Sequence, residues 1–400
     1  MVNVNEVIAE VGREYADFGR YRIRFRDRER EIERLFNEGL NIPGLRILYG
    51  PYGAGKTTLL SRIYKILKSM TDEVFVAYMN FEGKALSKVL SEALPNGDEA
   101  LARIRSELGN IDAIKTGFAI AEAVKAAVEY ALKSRSVGRA SSILIIFDNF
   151  DKYLKEEVGD EHYTALSGLL EFFAESHEHP SEGVWAQYSD KQANTIFALS
   201  DQAAVKITTR LGSKGLTTPL LLWNLPRREF EDVVNEVAEL TGAKGFNVEL
   251  LWNLLGGNVR GLEDLAIRYR WDVRRWFQER VIDHVIQVLV SAAKQEGKLP
   301  TDVLRRLIEL ARGNAKDLGL DDAAHPDAVM GYFGLLENNV MINVRLPGTV
   351  YLSELPREPW VGRWYAYQIP AYYWVVRAII EKGGVNIDVE DTLRIMDKPR

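Results

Sequence analysis

The run from Gly50 to Thr57, GPYGAGKT, fits the pattern G-x-x-x-x-G-K-[ST] at every fixed position. In this pattern the glycines let backbone N–H groups surround phosphate oxygens, the lysine supplies a mobile positive charge and the hydroxyl ligates magnesium. We therefore expect Lys56 to contact the outer phosphates of a nucleoside triphosphate and Thr57 to ligate Mg²⁺. A glycine-rich turn without a ligand is the alternative interpretation. Further nucleotide contacts are expected from Gly50, Pro51, Tyr52, Gly53, Ala54, Gly55 and Thr58.

The residues on either side of this run have patterns typical of the elements that would position it. Residues 45–49, LRILY, predict a buried strand, and residues 58–67 predict an amphipathic helix. A helix that begins at the end of a glycine loop directs its free N–H groups and its positive dipole end toward the phosphates. The surrounding elements therefore favour a phosphate site over a simple turn.

A second candidate for chemistry is a carboxylate at the end of a hydrophobic run. Residues 143–147, ILIIF, predict a buried strand that ends at Asp148. We expect this strand to bring Asp148 to magnesium at the carboxyl edge of a parallel sheet. The alternative is a core strand that ends in a solvated aspartate.

The residue after Asp148 is Asn149, whose amide cannot accept a proton from the attacking water. Asp151 lies three residues past Asp148, and we consider it as the replacement general base or as the cap of a helix. The sequence therefore predicts slow or partner-triggered hydrolysis.

Polar residues farther along the chain are candidates for contacts with the γ-phosphate. Residues 193–199 predict a strand that ends beside Ser200 and Asp201, either of which is expected to sense that phosphate. Arg210 is interpreted either as an arginine finger toward a neighbouring subunit of a homo-oligomer or as an ordinary surface arginine. Arg260 begins a helix after two glycines, and a phosphate contact is one of two interpretations of it.

Strand patterns alternate with helical patterns over the first half of the chain. This order predicts a parallel sheet with both faces covered by helices, which is a three-layer α/β domain that we place at residues 1–225. The strand patterns after the loop strand cover residues 74–80, 143–148, 195–200 and 220–223.

The second half of the chain predicts two smaller units. Residues 226–278 lack strand signals and predict a helical lid. Residues 279–400 predict two or three helices, followed by a hairpin in which residues 340–346 pair with residues 349–352 across a Pro-Gly turn. That order predicts a winged-helix-like domain with the hairpin as its wing.

Charge bears on the class of partner. The formal net charge of -6 argues against a protein whose whole surface is built for nucleic acid. Arginines alternate over residues 20–30, and interleaved acids favour a salt-bridged surface over a polyanion groove. From Trp271 onward the numbers of basic and acidic residues are nearly equal.

The composition also limits the chemistry and the compartment. The absence of cysteine excludes disulfides, thiolate catalysis and cysteine-ligated metals. Residues 175–180 hold two histidines, but we expect a solvated polar loop there rather than a metal site. No apolar run reaches about eighteen residues, and the first residues lack the layout of a signal peptide, so we expect a cytoplasmic protein without membrane contact.

Taken together, these residues resemble archaeal ATPases of the AAA+ and STAND group, including relatives of the archaeal origin-recognition initiators. Residues 25–29 are similar to the box that precedes the phosphate loop and contacts adenine, and on this basis we assign Arg28 to nucleotide binding. Asn80 is similar to the polar switch (sensor) residue at the end of the second strand. Residues 256–260, GGNVR, are similar to the G-G-N-P-R sensor element of the lid, with Val259 in place of proline.

The resemblance implies an ASCE-type P-loop NTPase fold with a helical lid and a C-terminal winged-helix-like domain. It implies ATP and Mg²⁺ as ligands, and the sequence contains no N-K-x-D guanine-reading motif. One expected function is an ATP-driven switch that engages an unidentified protein partner. The second is an ATP-dependent DNA-binding factor of replication-initiator or transposition type. A small-molecule kinase is the third alternative, although the lid and the C-terminal domain exceed what such an enzyme needs.

Overall fold

The computed structural model describes residues 3–26, 28–94, 97–211, 217–295 and 334–397. Its strands are β1 Tyr15–Phe18, β2 Tyr21–Arg24, β3 Gly44–Tyr49, β4 Val74–Asn80, β5 Ser142–Asp148, β6 Gln192–Ala198, β7 Thr217–Leu221, β8 Met341–Asn343, β9 Val350–Tyr351 and β10 Tyr365–Tyr367.

The α-helices of the described residues are α1 Val4–Val11, α2 Glu29–Arg34, α3 Lys56–Met70, α4 Leu86–Ala93, α5 Gly97–Leu108, α6 Gly117–Leu132, α7 Arg135–Arg139, α8 Phe150–Val158, α9 His162–Glu178, α10 Asp201–Leu211, α11 Arg227–Thr241, α12 Val248–Leu255, α13 Val259–Glu263, α14 Val273–Trp276, α15 Asp283–Gln295, α16 Pro370–Lys382 and α17 Val389–Met396. π-Helical turns follow α2, α13 and α14 over Leu35–Leu40, Asp264–Arg268 and Phe277–Ile282. Short 3₁₀ turns cover Ile111–Ala113, Gly159–Glu161 and Ala186–Tyr188.

The centre of the fold is a six-stranded parallel sheet in the order β4-β5-β6-β3-β7-β9. The strand before the phosphate loop, β3, lies between β6 and β7, and each of its residues is buried. The strands predicted at residues 74–80, 143–148, 195–200 and 220–223 correspond to β4, β5, β6 and β7 of this sheet. The P-loop NTPase α/β fold expected from the sequence is therefore confirmed.

Side chains alternate between the two faces of the sheet, as the pleat requires. Ile47, Ile145 and Phe147 pack against helices that include α4, α6 and α9. Leu48 and Ile146 pack on the other face, against α1, α2 and α3. Helices thus cover both faces, and the domain has three layers.

The hairpin predicted for residues 340–352 is wrong. Strand β8 pairs with β10 in a separate antiparallel ribbon, whereas β9 joins the edge of the main sheet beside β7. The Leu352 N–H also donates to the carbonyl of Leu221. The edge of β7 offers unpaired backbone groups, and pairing with β9 satisfies them. The hairpin was predicted from two apolar runs joined by a short turn, and this local pattern carries no information about the edge of β7, which is distant in the sequence.

The lid helices and the C-terminal segments share one hydrophobic cluster. It joins Phe230 and Trp252 of the lid to Trp360, Tyr367 and other residues of the C-terminal region. The described part of the C-terminal region is mainly helical. The domain boundaries after residues 225 and 278 remain predictions, and part of the helical segment predicted after residue 279 lies outside the described residues.

The segment predicted to be a solvated histidine loop is instead largely helical. Helix α9 continues to Glu178, and His177 is buried against Trp185 with its Nε2 3.1 Å from Thr195 Oγ1. Burial lowers the pKa of His177 to about 3, so this imidazole is neutral at physiological pH. Among the described residues, none of the helices is long and apolar enough to span a bilayer.

Candidate nucleotide-binding site

A cavity of about 670 Å³ opens beside the phosphate loop and the carboxyl ends of β5 and β6. We define its polar wall as the side formed by the phosphate loop and the ends of those strands, comprising Gly50, Tyr52, Gly53, Ala54, Gly55, Lys56, Thr57, Thr58, Asp148, Asn149, Asp151, Lys152, Ser200 and Asp201. We define its apolar wall as Phe18, Ile23, Phe25, Leu225 and Val233. Charged and apolar surfaces therefore meet in one cavity, as a nucleotide requires.

Two glycines of the loop are required for different reasons. Gly53 has a φ of +83°, and a Cβ there would lie 2.3 Å from the Cβ of Arg260, so only glycine lets the lid approach the loop. A Cβ at Gly55 would have no atom within 4 Å, so space does not require glycine there. The requirement comes from its φ of +91°, a backbone conformation that residues with a side chain rarely adopt. The open space at Gly55 lies directly before α3, where helix N–H groups bind phosphate.

The side chain of Lys56 is hydrogen-bonded to the phosphate loop. Its Nζ donates to the carbonyls of Gly50 at 2.8 Å and Pro51 at 3.2 Å, and α3 begins at this residue. Burial lowers the pKa of Lys56 to about 8. The ammonium group is therefore partly desolvated and positioned for a polyphosphate.

Asp148 and Thr57 form a pair of oxygen donors. Thr57 Oγ1 lies 3.2 Å from Asp148 Oδ1, and Tyr78 donates its hydroxyl to Asp148 Oδ2 at 2.8 Å. Asp148 is almost fully buried, and this burial raises its pKa. A hydroxyl and a buried carboxylate that adjoin a phosphate loop fit Mg²⁺, which prefers oxygen ligands. Tyr78 was not predicted, because its pattern on β4 is that of any strand residue.

The residues after Asp148 also line the cavity. Asn149 has a φ of +61° and places its Nδ2 3.4 Å from Thr57 Oγ1. Asp151 does not cap α8; its Oδ2 accepts the backbone N–H of Ser200 at 2.9 Å. The other carboxylate oxygen of Asp151, Oδ1, is buried without a hydrogen-bond partner among the described residues.

Asp201 is the third buried acid of the polar wall. It is the first residue of α10, and burial raises its pKa to about 7, although the nearby charge of Lys56 opposes that shift. At neutral pH a substantial fraction of Asp201 is therefore protonated. The neighbouring Ser200 also lines the cavity.

Arg28 connects the segment before the loop to the loop itself. This buried guanidinium donates to Glu31 Oε1 at 2.7 Å, to the Ala54 carbonyl at 2.7 Å and to the Trp223 carbonyl at 3.0 Å. It lines the cavity, as predicted for a nucleotide-binding residue, but its donors already have protein partners. Residue 27, which belongs to the same predicted box, lies outside the described residues.

The predicted sensor element of the lid reaches the loop. Arg260 lines the cavity and forms an ion pair with Glu263 at 2.8 Å. The side chain of Asn258 is buried and donates from Nδ2 to the Tyr52 carbonyl at 2.8 Å and to Asn224 Oδ1 at 3.0 Å.

A side chain from the C-terminal region completes this network of amides. Gln368 Oε1 accepts the Tyr52 backbone N–H at 2.9 Å, and the Gln368 carbonyl accepts from Asn224 at 3.0 Å. The lid and the C-terminal region therefore hold the two backbone groups of one phosphate-loop residue.

Three predicted site residues, Pro51, Arg210 and Asn80, do not line the cavity. Arg210 forms an ion pair with Glu171 at 3.0 Å and is about half exposed. Asn80 ends β4, and its Oδ1 accepts the Glu82 N–H at 3.0 Å rather than facing the cavity.

Several cavity residues were missed from the sequence, because they come from segments whose proximity depends on the fold. Lys152 and Lys155 were also missed, but a local signal could have found them. They share a helical face with Asp151, and their spacing along the chain could have indicated that they lie near it. The missed polar residues that line the cavity include Glu82, Lys152, Lys155, His162, Tyr163, Gln202, Glu263 and Asn339.

The chain is similar to known proteins. A family model described as an ATPase domain predominantly from Archaea matches residues 25–265, which include the loop, Asp148 and the lid sensor element. No curated protein matches the chain. Among solved structures, the chain is similar to the ADP form of ORC2 from Aeropyrum pernix, with 17% identity, a TM-score of 0.35 and coverage of 68% of this chain and 73% of that one. It is also similar to Drosophila ORC bound to DNA, with 14% identity, a TM-score of 0.33 and coverage of 80% and 88%.

Proposed function

Because the chain belongs to the family of ATPase domains found predominantly in Archaea, we propose that it is an ATP-binding molecular switch. It binds Mg²⁺ and ATP, hydrolyses ATP slowly or on contact with a partner, and thereby controls how its winged-helix-like C-terminal domain engages a protein partner.

The site residues have distinct tasks in this proposal. Lys56 and the loop N–H groups bind the β- and γ-phosphates, and Thr57 and Asp148 hold Mg²⁺, which screens phosphate charge. The adenine base of ATP lies against the apolar wall. Arg28 of the core and Arg260 of the lid border the adenine base.

The observation that carries the switch is the way Tyr52 is held. Its N–H donates to Gln368 of the C-terminal region, and its carbonyl accepts from Asn258 of the lid. Phosphate that binds the loop N–H groups favours one loop conformation, and a shift at Tyr52 requires both amides to move. A ligand that binds one arrangement better shifts the population toward it.

Slow hydrolysis follows from Asn149 beside Asp148. An amide cannot take a proton from water, so Asp151, whose Oδ1 has no hydrogen-bond partner among the described residues, is the proposed general base. Its hydrogen bond to Ser200 orients the carboxylate.

Calorimetry with the Lys56→Ala variant tests the site. We expect ATP affinity to fall about 100-fold, because a charge-assisted contact to phosphate is lost. An unchanged affinity would remove the basis of the proposal.

Small-angle scattering with and without a Mg²⁺-bound ATP analogue tests the switch. We expect different profiles for the wild type and a smaller difference for Gln368→Ala, which uncouples the C-terminal region from Tyr52. Identical wild-type profiles would argue against a switch even if ATP binds.

A second candidate function is DNA binding, and one observation favours it. Arg20, Arg22 and Arg24 are exposed on the β1–β2 ribbon, whose turn donates the Gly19 N–H to Glu263 of the lid. A gel-shift titration across salt concentrations distinguishes the candidates, because phosphate contacts give a steep salt dependence. Binding that weakens in Arg22→Ala supports DNA, and no binding at low salt removes it.

A further inference from the structure

One cation of the polar wall has no task in the function proposed above. Lys152 lies in the first half of α8 and lines the cavity together with Asp151 and Lys155. On the opposite face of this helix, Phe150 and Leu154 are fully buried in the core. The backbone that carries Lys152 is therefore fixed relative to the main sheet.

The ammonium group of Lys152 faces the phosphate loop. Its Nζ lies 5.6 Å from the centroid of the Tyr52 ring. Lys152 is also close enough to Lys56 that its charge adds to the effect of burial in lowering the pKa of Lys56. Two cations that repel each other in a ligand-free cavity are both stabilised when a polyphosphate enters between them.

Lys152 has no compensating carboxylate in the part of the chain that the structure describes. Within the described ranges, no acid lies at ion-pair distance from it. Other lysines of the chain do form such pairs, namely Lys84 with Glu92, Lys115 with Glu157, Lys125 with Glu122 and Lys382 with Asp391. The charge of Lys152 is thus available to a ligand.

The position along the loop indicates which phosphate it would meet. In this motif the backbone N–H groups that precede and begin the helix cradle the inner phosphates, and the motif lysine extends to the outer ones. Tyr52 lies in the first half of the loop, where Lys56 Nζ contacts Gly50 and Pro51. Lys152 borders the first half of the loop, where the outer phosphates are expected, and lies next to Asp151.

We propose that Lys152 contacts the γ-phosphate of bound ATP from within the same chain, and so supplies in cis the charge that an arginine finger supplies in trans. The inference rests on the proposed ATP site. During hydrolysis, the water oxygen bonds to the γ-phosphorus while the bond to the β–γ bridging oxygen breaks. The water proton passes to Asp151, ADP leaves with the bridging electron pair, and Lys152 exchanges no proton but stabilises the charge on the γ-phosphoryl oxygens.

Binding and single-turnover measurements on the full chain test this proposal. The variants are Lys152→Gln, the charge-retaining Lys152→Arg, and Lys88→Gln as the same change on an exposed helix position away from the cavity. For Lys152→Gln we expect the affinity for Mg²⁺-bound AMP-PNP to fall about tenfold and that for ADP to change less than about twofold. Lys152→Arg should retain the preference for the triphosphate, and Lys88→Gln should match the wild type.

Hydrolysis provides a second readout. The single-turnover rate of Lys152→Gln should fall about 100-fold, and the wild-type rate per mole should not change with protein concentration, because the cation comes from the same chain. An equal loss of AMP-PNP and ADP affinity, or unchanged triphosphate affinity and rate, overturns the assignment. A wild type that binds no ATP, or a Lys56→Ala variant that binds it fully, overturns the proposed function instead.

Discussion

The polar and apolar walls of the cavity are assembled in different ways. Lys56, Asp148 and Asp201 each begin or end a helix or strand of the central α/β domain. Phe18 and Val233 come instead from the β1–β2 ribbon and from α11 of the lid, which meet in a shared hydrophobic cluster. The charged groups are therefore positioned by local backbone, and the apolar groups by packing between distant segments.

In the proposed function, the polar wall contacts the phosphates and the apolar wall contacts the adenine base. The polar wall should distinguish nucleotides by the number of phosphates, whereas the apolar wall should affect ATP and ADP equally. Nucleotide binding and hydrolysis at the polar wall should also depend on the pH and on the Mg²⁺ concentration. Three of the four predictions below test this division and the one for Arg28 tests the segment before the phosphate loop; they begin with the largest expected effect.

Asp148→Asn should reduce the single-turnover rate of ATP hydrolysis about 1,000-fold, because a neutral amide is a weak ligand for Mg²⁺. The measurement is the rate as a function of Mg²⁺ concentration. Tyr78→Phe serves as the control, since it removes one hydrogen bond to Asp148 but keeps the carboxylate. An unchanged Mg²⁺ dependence in Asp148→Asn would place the metal elsewhere.

Arg28→Met should lower the free energy of unfolding by about 3 kcal/mol, because it leaves the buried carboxylate of Glu31 unpaired. Urea denaturation measures the loss. The double variant Arg28→Met/Glu31→Leu should recover most of it, since no charge then remains buried. If the double variant is no more stable than the single one, Arg28 stabilises the fold mainly through the Ala54 and Trp223 carbonyls.

ATP affinity should fall about tenfold as the pH rises from about 6 to about 9. Asp201, whose pKa burial raises to about 7, gains a negative charge, and Lys56, whose pKa burial lowers to about 8, loses its positive charge. Both changes oppose a polyphosphate. Calorimetry across this range measures the decline, and Asp201→Asn should remove the part near pH 7. Affinity that increases with pH would contradict both assignments.

Val233→Ala should weaken ATP and ADP binding equally, by about fivefold, because it removes apolar contact area from the apolar wall. Val237→Ala is the matched control: this residue is buried on the same helix one turn later but does not line the cavity. It should cost similar stability without changing nucleotide affinity. A loss confined to ATP in Val233→Ala would mean that this wall does not hold the base.

The sheet was predictable where short-range patterns determine structure. The strands that end at Asn80 and Asp148 appear as buried or alternating runs, and the glycines and lysine of the loop are constrained by backbone chemistry over a few residues. The pairing of the sixth strand was not predictable, although a strand was predicted at residues 349–352. Val350 and Tyr351 carry a weak strand signal, and only the free edge of β7 determines that they pair there rather than with β8.

The sequence by itself determined the phosphate-loop motif and the buried strand that ends at Asp148, because each follows from a short run of neighbouring residues. Only the tertiary structure decided that Gln368 and Asn258 hold Tyr52 and that Lys152 faces the same loop. Those contacts join residues far apart in the chain, and their proximity results from hydrophobic packing that has no local signature.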